Sequence, residues 1–311
     1  MSSPILDLSY RHYDGPLLNN VARWWSIAKM TMRLGVKKKF FWTLAALSGY
    51  WYLLLIVIFY FTDLLDPRFT ERVLSVIQWK DQFVNAFSIG QLIYFILALM
   101  IGIGSIANDN RANALLVYLG KPCTKSDYLI GKWLGIAIPL FLVAWVPALV
   151  FFVYGALSFR SSGFLTQDPW LFFKIPLMCL APAAIHASLA VGISSRSNQG
   201  RNAGAAYAAI YFAGLFFTKL MQILWLIGSR QDKGTDLVRR FYYCSVDGIQ
   251  IAWSKFVMGT NGSMLFPAQA NQRDFTVPAM ESGLVLFGFL FVCVVGVLLA
   301  VRRIKAVEVV R

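Results

Sequence analysis

The stretch N108-DNRANALLVYLGKPCTKSDYLIG-K132 is polar and partly amphipathic, and it sits between two long apolar runs of a 311-residue chain. Its neighbours decide the fold class. Hydrophobic residues make up 58% of the chain and charged residues only 14%, an excess over soluble globular proteins that marks an integral membrane protein. A hydrocarbon core needs about 20 mostly apolar residues per crossing helix, because backbone polar groups must be satisfied within the segment. Six segments meet that demand: about 41–61, 86–106, 128–157, 172–193, 203–228 and 282–301. The sequence therefore predicts an all-α membrane protein of six transmembrane helices. Residues 1–40 are expected to form an arm with an amphipathic helix, and 41–311 a six-span membrane domain with an external segment, 229–281, inserted before the last span.

Lys and Arg placement sets the expected orientation, since short cytoplasmic loops collect positive charge. Arg11, Arg23, Lys29, Arg33 and Lys37 to Lys39 precede the first span, and Arg302, Arg303, Lys305 and Arg311 follow the last. Both termini are expected in the cytoplasm, together with 107–127 and 194–202. The formal charge of +14 fits this topology and contact with anionic lipid; it does not call for nucleic acid. From Val21 to Lys37 a helical wheel puts Arg23, Ser26, Lys29, Arg33 and Lys37 on one arc and Trp24, Trp25, Ile27, Ala28, Met32 and Leu34 opposite. That pattern suits a helix lying in the headgroup plane.

Chemistry-bearing motifs are missing. The two histidines, His12 and His186, and the four cysteines show no metal-ligand spacing, so no metal or other cofactor is expected, and His186 reads as a hydrogen-bonded interior residue. Gly131-Lys132 is followed by Trp133 and lacks the upstream glycine of a phosphate-cradling loop, so the chain is expected to be no ATPase itself. The spans lack paired carboxylates of the kind an ion-coupled carrier uses, and Lys219 is the one deep cation.

Within the opening stretch, Ala112, Leu115, Leu116 and Leu119 fall at helical spacing, which predicts a short amphipathic helix from Asp109 to Leu119. Gly120 and Pro122 stop it, and Thr124 with Asp127 forms a capping box that restarts a helix into the third span.

These residues resemble the permease subunits of ABC type-2 exporters, whose loop has an acidic residue, a basic residue, a short apolar helix, Pro, Ser or Thr with a basic residue, then Gly-Lys. The corresponding positions are Asp109, Arg111, Leu115 and Leu116 within LLVYL, Pro122, Thr124-Lys125 and Gly131-Lys132. LAVGISSRSNQGRNAGAAYAA from Leu189 and LLAVRRIKAVEVVR at the C-terminus continue the likeness, while Asn113-Ala114 replace the Gly-Thr common in the loop and 229–281 is longer than in many members. The resemblance implies a multi-pass subunit of a bacterial cytoplasmic membrane, paired with a second permease copy or paralogue and with cytoplasmic ATPase subunits. It further implies an ATPase-coupling loop comprising Asp109, Asn110, Arg111, Leu115, Leu116, Lys121, Pro122, Thr124, Lys125, Gly131 and Lys132, with Arg23, Trp24, Trp25, Lys29 and Arg33 on the membrane-surface helix. Two other readings are a non-transporting scaffold or biogenesis factor driven by such an ATPase, and an ion-coupled carrier. The external segment is expected to form short helices on or in the outer leaflet.

Overall fold

A computed structural model describes residues 23–65, 77–114, 123–160, 163–231, 235–262 and 276–303. Every element in them is helical. We number them α1 (Arg23–Val36), α2 (Lys39–Ser48), α3 (Tyr50–Leu65), α4 (Trp79–Gly102), α5 (Gly104–Arg111), α6 (Lys125–Ser158), α7 (Phe164–Gln167), α8 (Leu171–Ser195), α9 (Gly200–Arg230), α10 (Asp236–Tyr242), α11 (Val246–Met258) and α12 (Ser282–Arg303). Among the described residues five helices are long and apolar enough to cross a membrane, and six spans result if α2 and α3, which meet at a 45° bend, count as one. Each expected span has its helix, and most of the helices overrun the apolar segment: α4 and α5 together cover the 33 residues from Trp79 to Arg111.

α8 is the central helix. Buried residues make up 72% of its most apolar window, against 17% for α9 and for α12. The outer faces of α9 and α12 therefore carry exposed side chains such as Phe216, Ile223, Phe287 and Phe291, which satisfy the hydrophobic effect only against lipid or another apolar surface. At the end where α4 begins, Trp79 meets Phe59, Phe159 and Phe164, and Phe83 meets Tyr52 and Phe151. α12 is mounted on α8 where Gly192 and Gly296 face each other backbone to backbone, an approach that only small residues permit.

α1 lies against the bundle more closely than the wheel implied. Its buried stripe is Ile27, Ala28, Thr31 and Gly35, while Trp25, Met30 and Leu34 are exposed. The contact is set by α6: a Cβ on Gly131 would stand 2.7 Å from both the Ile27 Cβ and the Trp24 carbonyl oxygen, and one on Gly135 would stand 2.6 Å from the Thr31 Cβ. Gly131 and Gly135 thus form a small-residue groove that α1 fills. Arg23, Lys29 and Arg33 remain on the exposed side and Trp24 is half-buried.

The segment between α9 and α12 departs most from expectation. α10 packs on α9, and α11 is buried in the bundle, packed on α4, α8, α9 and α12. Its buried positions include Asp247, Gln250, Ser254 and Lys255. Of the short helices expected in the external segment, α11 is built into the core of the bundle. Ser245 caps its start by accepting from the Gly248 N–H at 2.9 Å, and Gly259, with φ +64°, ends it in the left-handed conformation.

Candidate functional site

The polar interruption that opened the sequence folds into a set of ties around α5. α4 ends at Gly102, whose close neighbour is Ala190 of α8, and the helix resumes as α5 after Ile103. The Ser194 hydroxyl of α8 accepts from the N–H groups of Ile106 at 3.1 Å and Ala107 at 2.9 Å, and donates to the Ile103 carbonyl at 2.6 Å. Ser194 is fully buried, so this one hydroxyl satisfies three backbone groups at the helix junction that water cannot reach.

Further along α5, Asp109 turns towards α6. Its Oδ2 lies 2.8 Å from the Lys132 Nζ and accepts from the Tyr128 hydroxyl, also at 2.8 Å. The Lys132 ammonium stands 5.5 Å from the Tyr128 ring centroid, adding a cation–π contact. Only 7% of Lys132 is exposed, which makes the carboxylate its necessary counter-charge. Asn110 turns the other way and donates its amide to the Ser195 carbonyl at 3.1 Å and the Ser197 carbonyl at 3.2 Å. Three consecutive functions of α5 thus point to three places: Ser194 under the junction, α6 through Asp109, and the α8–α9 connection through Asn110.

Of the expected helix from 109 to 119, the part within the described residues is broken at Ala112 and Asn113. Residues 108–111 belong to α5, the continuation of the second span; Ala112 caps that helix, and Asn113 leaves it with φ +52°, a left-handed turn that Asn tolerates better than most residues. Leu115, Leu116, Lys121 and Pro122 lie outside the described residues. The capping box, in contrast, is complete: the Asp127 N–H donates to the Thr124 hydroxyl and the Thr124 N–H donates to the Asp127 carboxylate, both at 3.1 Å. Arg111 is exposed and Lys125 half-buried, whereas Gly131 serves the α1 groove.

A profile for ABC-2 family transporter proteins matches residues 25–302. The chain belongs to that family. No individual curated protein matches it. As an ABC-2 transporter protein it is a multi-pass membrane component of its transporter, and the match runs from α1 through α12, including the ties at α5 and the inserted α11. Among the described residues no three metal-ligating side chains come together.

A second polar cluster, missed by the sequence reading, lies where α11 enters the bundle. His186 of α8 is fully buried. Its Nδ1 is 2.5 Å from the Tyr207 hydroxyl of α9 and its Nε2 is 3.2 Å from the Gln250 amide of α11, the hydrogen-bonded interior role expected of it. Thr218 and Ser245 bond hydroxyl to hydroxyl. At the far end of α11, Thr260 bonds Asp81, and Lys255 donates to the Val277 carbonyl and, at 3.4 Å, to the Tyr243 hydroxyl. Burial pushes the Lys255 ammonium down to about 8, partly offset by the Asp81 charge, and pushes the Asp247 carboxyl up to about 6. Lys219, the deep cation of the sequence, is exposed on the outer face of α9. One signal could have revealed this cluster: SVDGIQIAWSK places Asp247, Gln250, Ser254 and Lys255 on one helical arc, a polar stripe opposite apolar residues in a segment too short to span.

Proposed function

We propose that this chain is the permease of an ATP-driven exporter, working as a pair with a second copy or a paralogue and with cytoplasmic ATPase subunits that bind at the loop following α5. Both termini and the α5 end then face the cytoplasm, in agreement with the positive charge gathered at Lys37 to Lys39, Arg111, Lys125, Arg196 and Arg201. The observation that carries this reading is the set of α5 ties. A push on Arg111 and the chain beyond it reaches α6 through Asp109 and Lys132, and reaches α8 through Asn110 and Ser194. Because packed helices shift as bodies between discrete arrangements, a displacement at one helix end becomes a rearrangement of two spans. Hydrolysis itself is supplied by the partner.

In this scheme Arg111 is the docking charge and Asp109 the internal latch. Arg111→Ala should reduce the ATPase that co-purifies with the permease in mild detergent and leave the permease's own unfolding midpoint unchanged. Co-purification equal to that of the parent would remove the docking role. A stable functional monomer without any ATPase would remove the exporter reading as a whole.

A further inference from the structure

A cavity of about 830 Å³ opens between the C-terminal end of α1, the α4–α5 junction, α6 and the N-terminus of α9. Its volume falls in the range of about 300–1,000 Å³ typical of small-molecule sites. The wall is divided by chemistry. Four basic side chains, Lys38, Arg111, Lys132 and Arg201, line it against a single carboxylate, Asp109, and that carboxylate is already taken by Lys132 at 2.8 Å. Among the described residues no carboxylate lies within ion-pair distance of Lys38, Arg111 or Arg201. Three positive charges of the cavity thus have no carboxylate partner among the described residues. Lys38 is held over it by donating to the Met100 carbonyl at 3.3 Å. α9 begins in the same wall at Gln199 and Gly200 without a side-chain cap, so the positive end of its dipole adds to the field.

Leu34, Leu99 and Ile103 give the wall an apolar side, beside the uncharged polar side chains of Thr31, Ser105, Asn108 and Gln199. Leu34 is 57% exposed and continues into the exposed flank of α1 that bears Met30 and Trp25. A basic patch joined sideways to a lipid-facing apolar flank matches the boundary between headgroups and acyl chains. We propose that this cavity binds the phosphate headgroup of an anionic phospholipid, with Lys38 and Arg201 around the phosphate and the first acyl segments against Leu34, Leu99 and Ile103. A free phosphate would satisfy the charges and leave the apolar wall bare, so the bilayer is the source that covers both. Such a lipid would fasten α1 to the α5 and α9 ends of the bundle.

The test uses the full chain, delipidated in detergent, and measures binding of dioctanoyl phosphatidylglycerol, dioctanoyl phosphatidylcholine and inorganic phosphate. Phosphatidylglycerol should bind and the other two should compete poorly at the same concentration. Lys38→Gln with Arg201→Gln should weaken phosphatidylglycerol about thirtyfold, about fivefold for each basic side chain lost from an anionic headgroup. Lys39→Gln with Arg196→Gln, which removes the same charge outside the cavity, should leave binding unchanged. Equal loss in both pairs would reduce the effect to diffuse surface charge and overturn the site. Competition by inorganic phosphate as strong as by the lipid would overturn the lipid assignment. Should the Lys38→Gln and Arg201→Gln chain fail to fold, a photoactivatable phosphatidylglycerol on the unaltered chain decides: crosslinks at 34–38 and 199–201 support the site, and crosslinks spread evenly over the basic loops refute it.

Discussion

Replacing Asp109 by Asn removes the carboxylate charge beside a Lys132 that is 7% exposed, and leaves the Tyr128 ring against the ammonium. Breaking a fully buried ion pair from one side costs about 3–5 kcal/mol, because the remaining charge is stranded. The Asp109 side chain is 20% exposed, so water reaches part of the pair and the expected cost falls to about 2–3 kcal/mol. Lys132→Met removes the cation and leaves a partly hydrated carboxylate that keeps its Tyr128 bond, which should cost about 1 kcal/mol. The double variant strands neither charge and should cost about 1–2 kcal/mol, well below the sum, for a coupling energy of about 2 kcal/mol. Denaturant unfolding of the four proteins in mixed micelles measures the cycle. Costs that add to within about 0.5 kcal/mol would show that the two side chains do not interact. The same double variant separates latch from dock: it should fold and retain its ATPase, yet lose the stimulation of hydrolysis by substrate.

Ser194→Ala should cost about 2–4 kcal/mol, since three buried backbone groups lose their partner, and hydrogen exchange should rise at the Ile106 and Ala107 amides before it rises elsewhere in α4; unchanged exchange there would refute the role of the hydroxyl. Gly131→Val should lift α1 from its groove, because even the first side-chain carbon stands 2.7 Å from Ile27 and Trp24; limited trypsin digestion should then cut at Lys29 and Arg33 faster than in the parent. For Lys255 the folded value of about 8 lies below the ordinary 10.5, so folding disfavours its charged form: the penalty is complete below pH 8 and is relieved as pH rises towards 10.5. The unfolding free energy of the parent should therefore gain on that of Lys255→Met by about 3 kcal/mol across this window, and a constant difference would place the ammonium in contact with water.

The spans were legible because their signal is a sum over about 20 residues, which no single substitution hides. The capping box at Thr124 and Asp127 was legible for a different reason: its two bonds are local and fixed by a three-residue spacing. The α5 boundary was misread because helical spacing continues from Asp109 to Leu119 in the sequence, while the chain breaks at Asn113 by adopting a left-handed turn, a choice that periodicity does not encode. Gly131 was read with Lys132 as part of one loop motif, yet the two face different partners. The glycine is needed by α1 and the lysine by Asp109, and only the crossing of three helices separates those roles.

α11 was the least legible element, and its burial bears on how the molecule could move. At 13 residues it is too short to span, and its polar stripe reads as a solvent face until partners from other helices are supplied. Those partners are Asp81 on α4, His186 on α8 and Thr218 on α9, the last through Ser245. Each bonds a polar group on or beside α11, so separating α11 from any one of these helices costs a hydrogen bond as well as packing. The α5 end is joined differently. There the connections run through single side chains across a break in the second span, beside an open cavity. If a partner pushes on α5, the yielding point is the junction at Ile103, and the half of the bundle held by α11 acts as the fixed body against which α6 and α8 tilt.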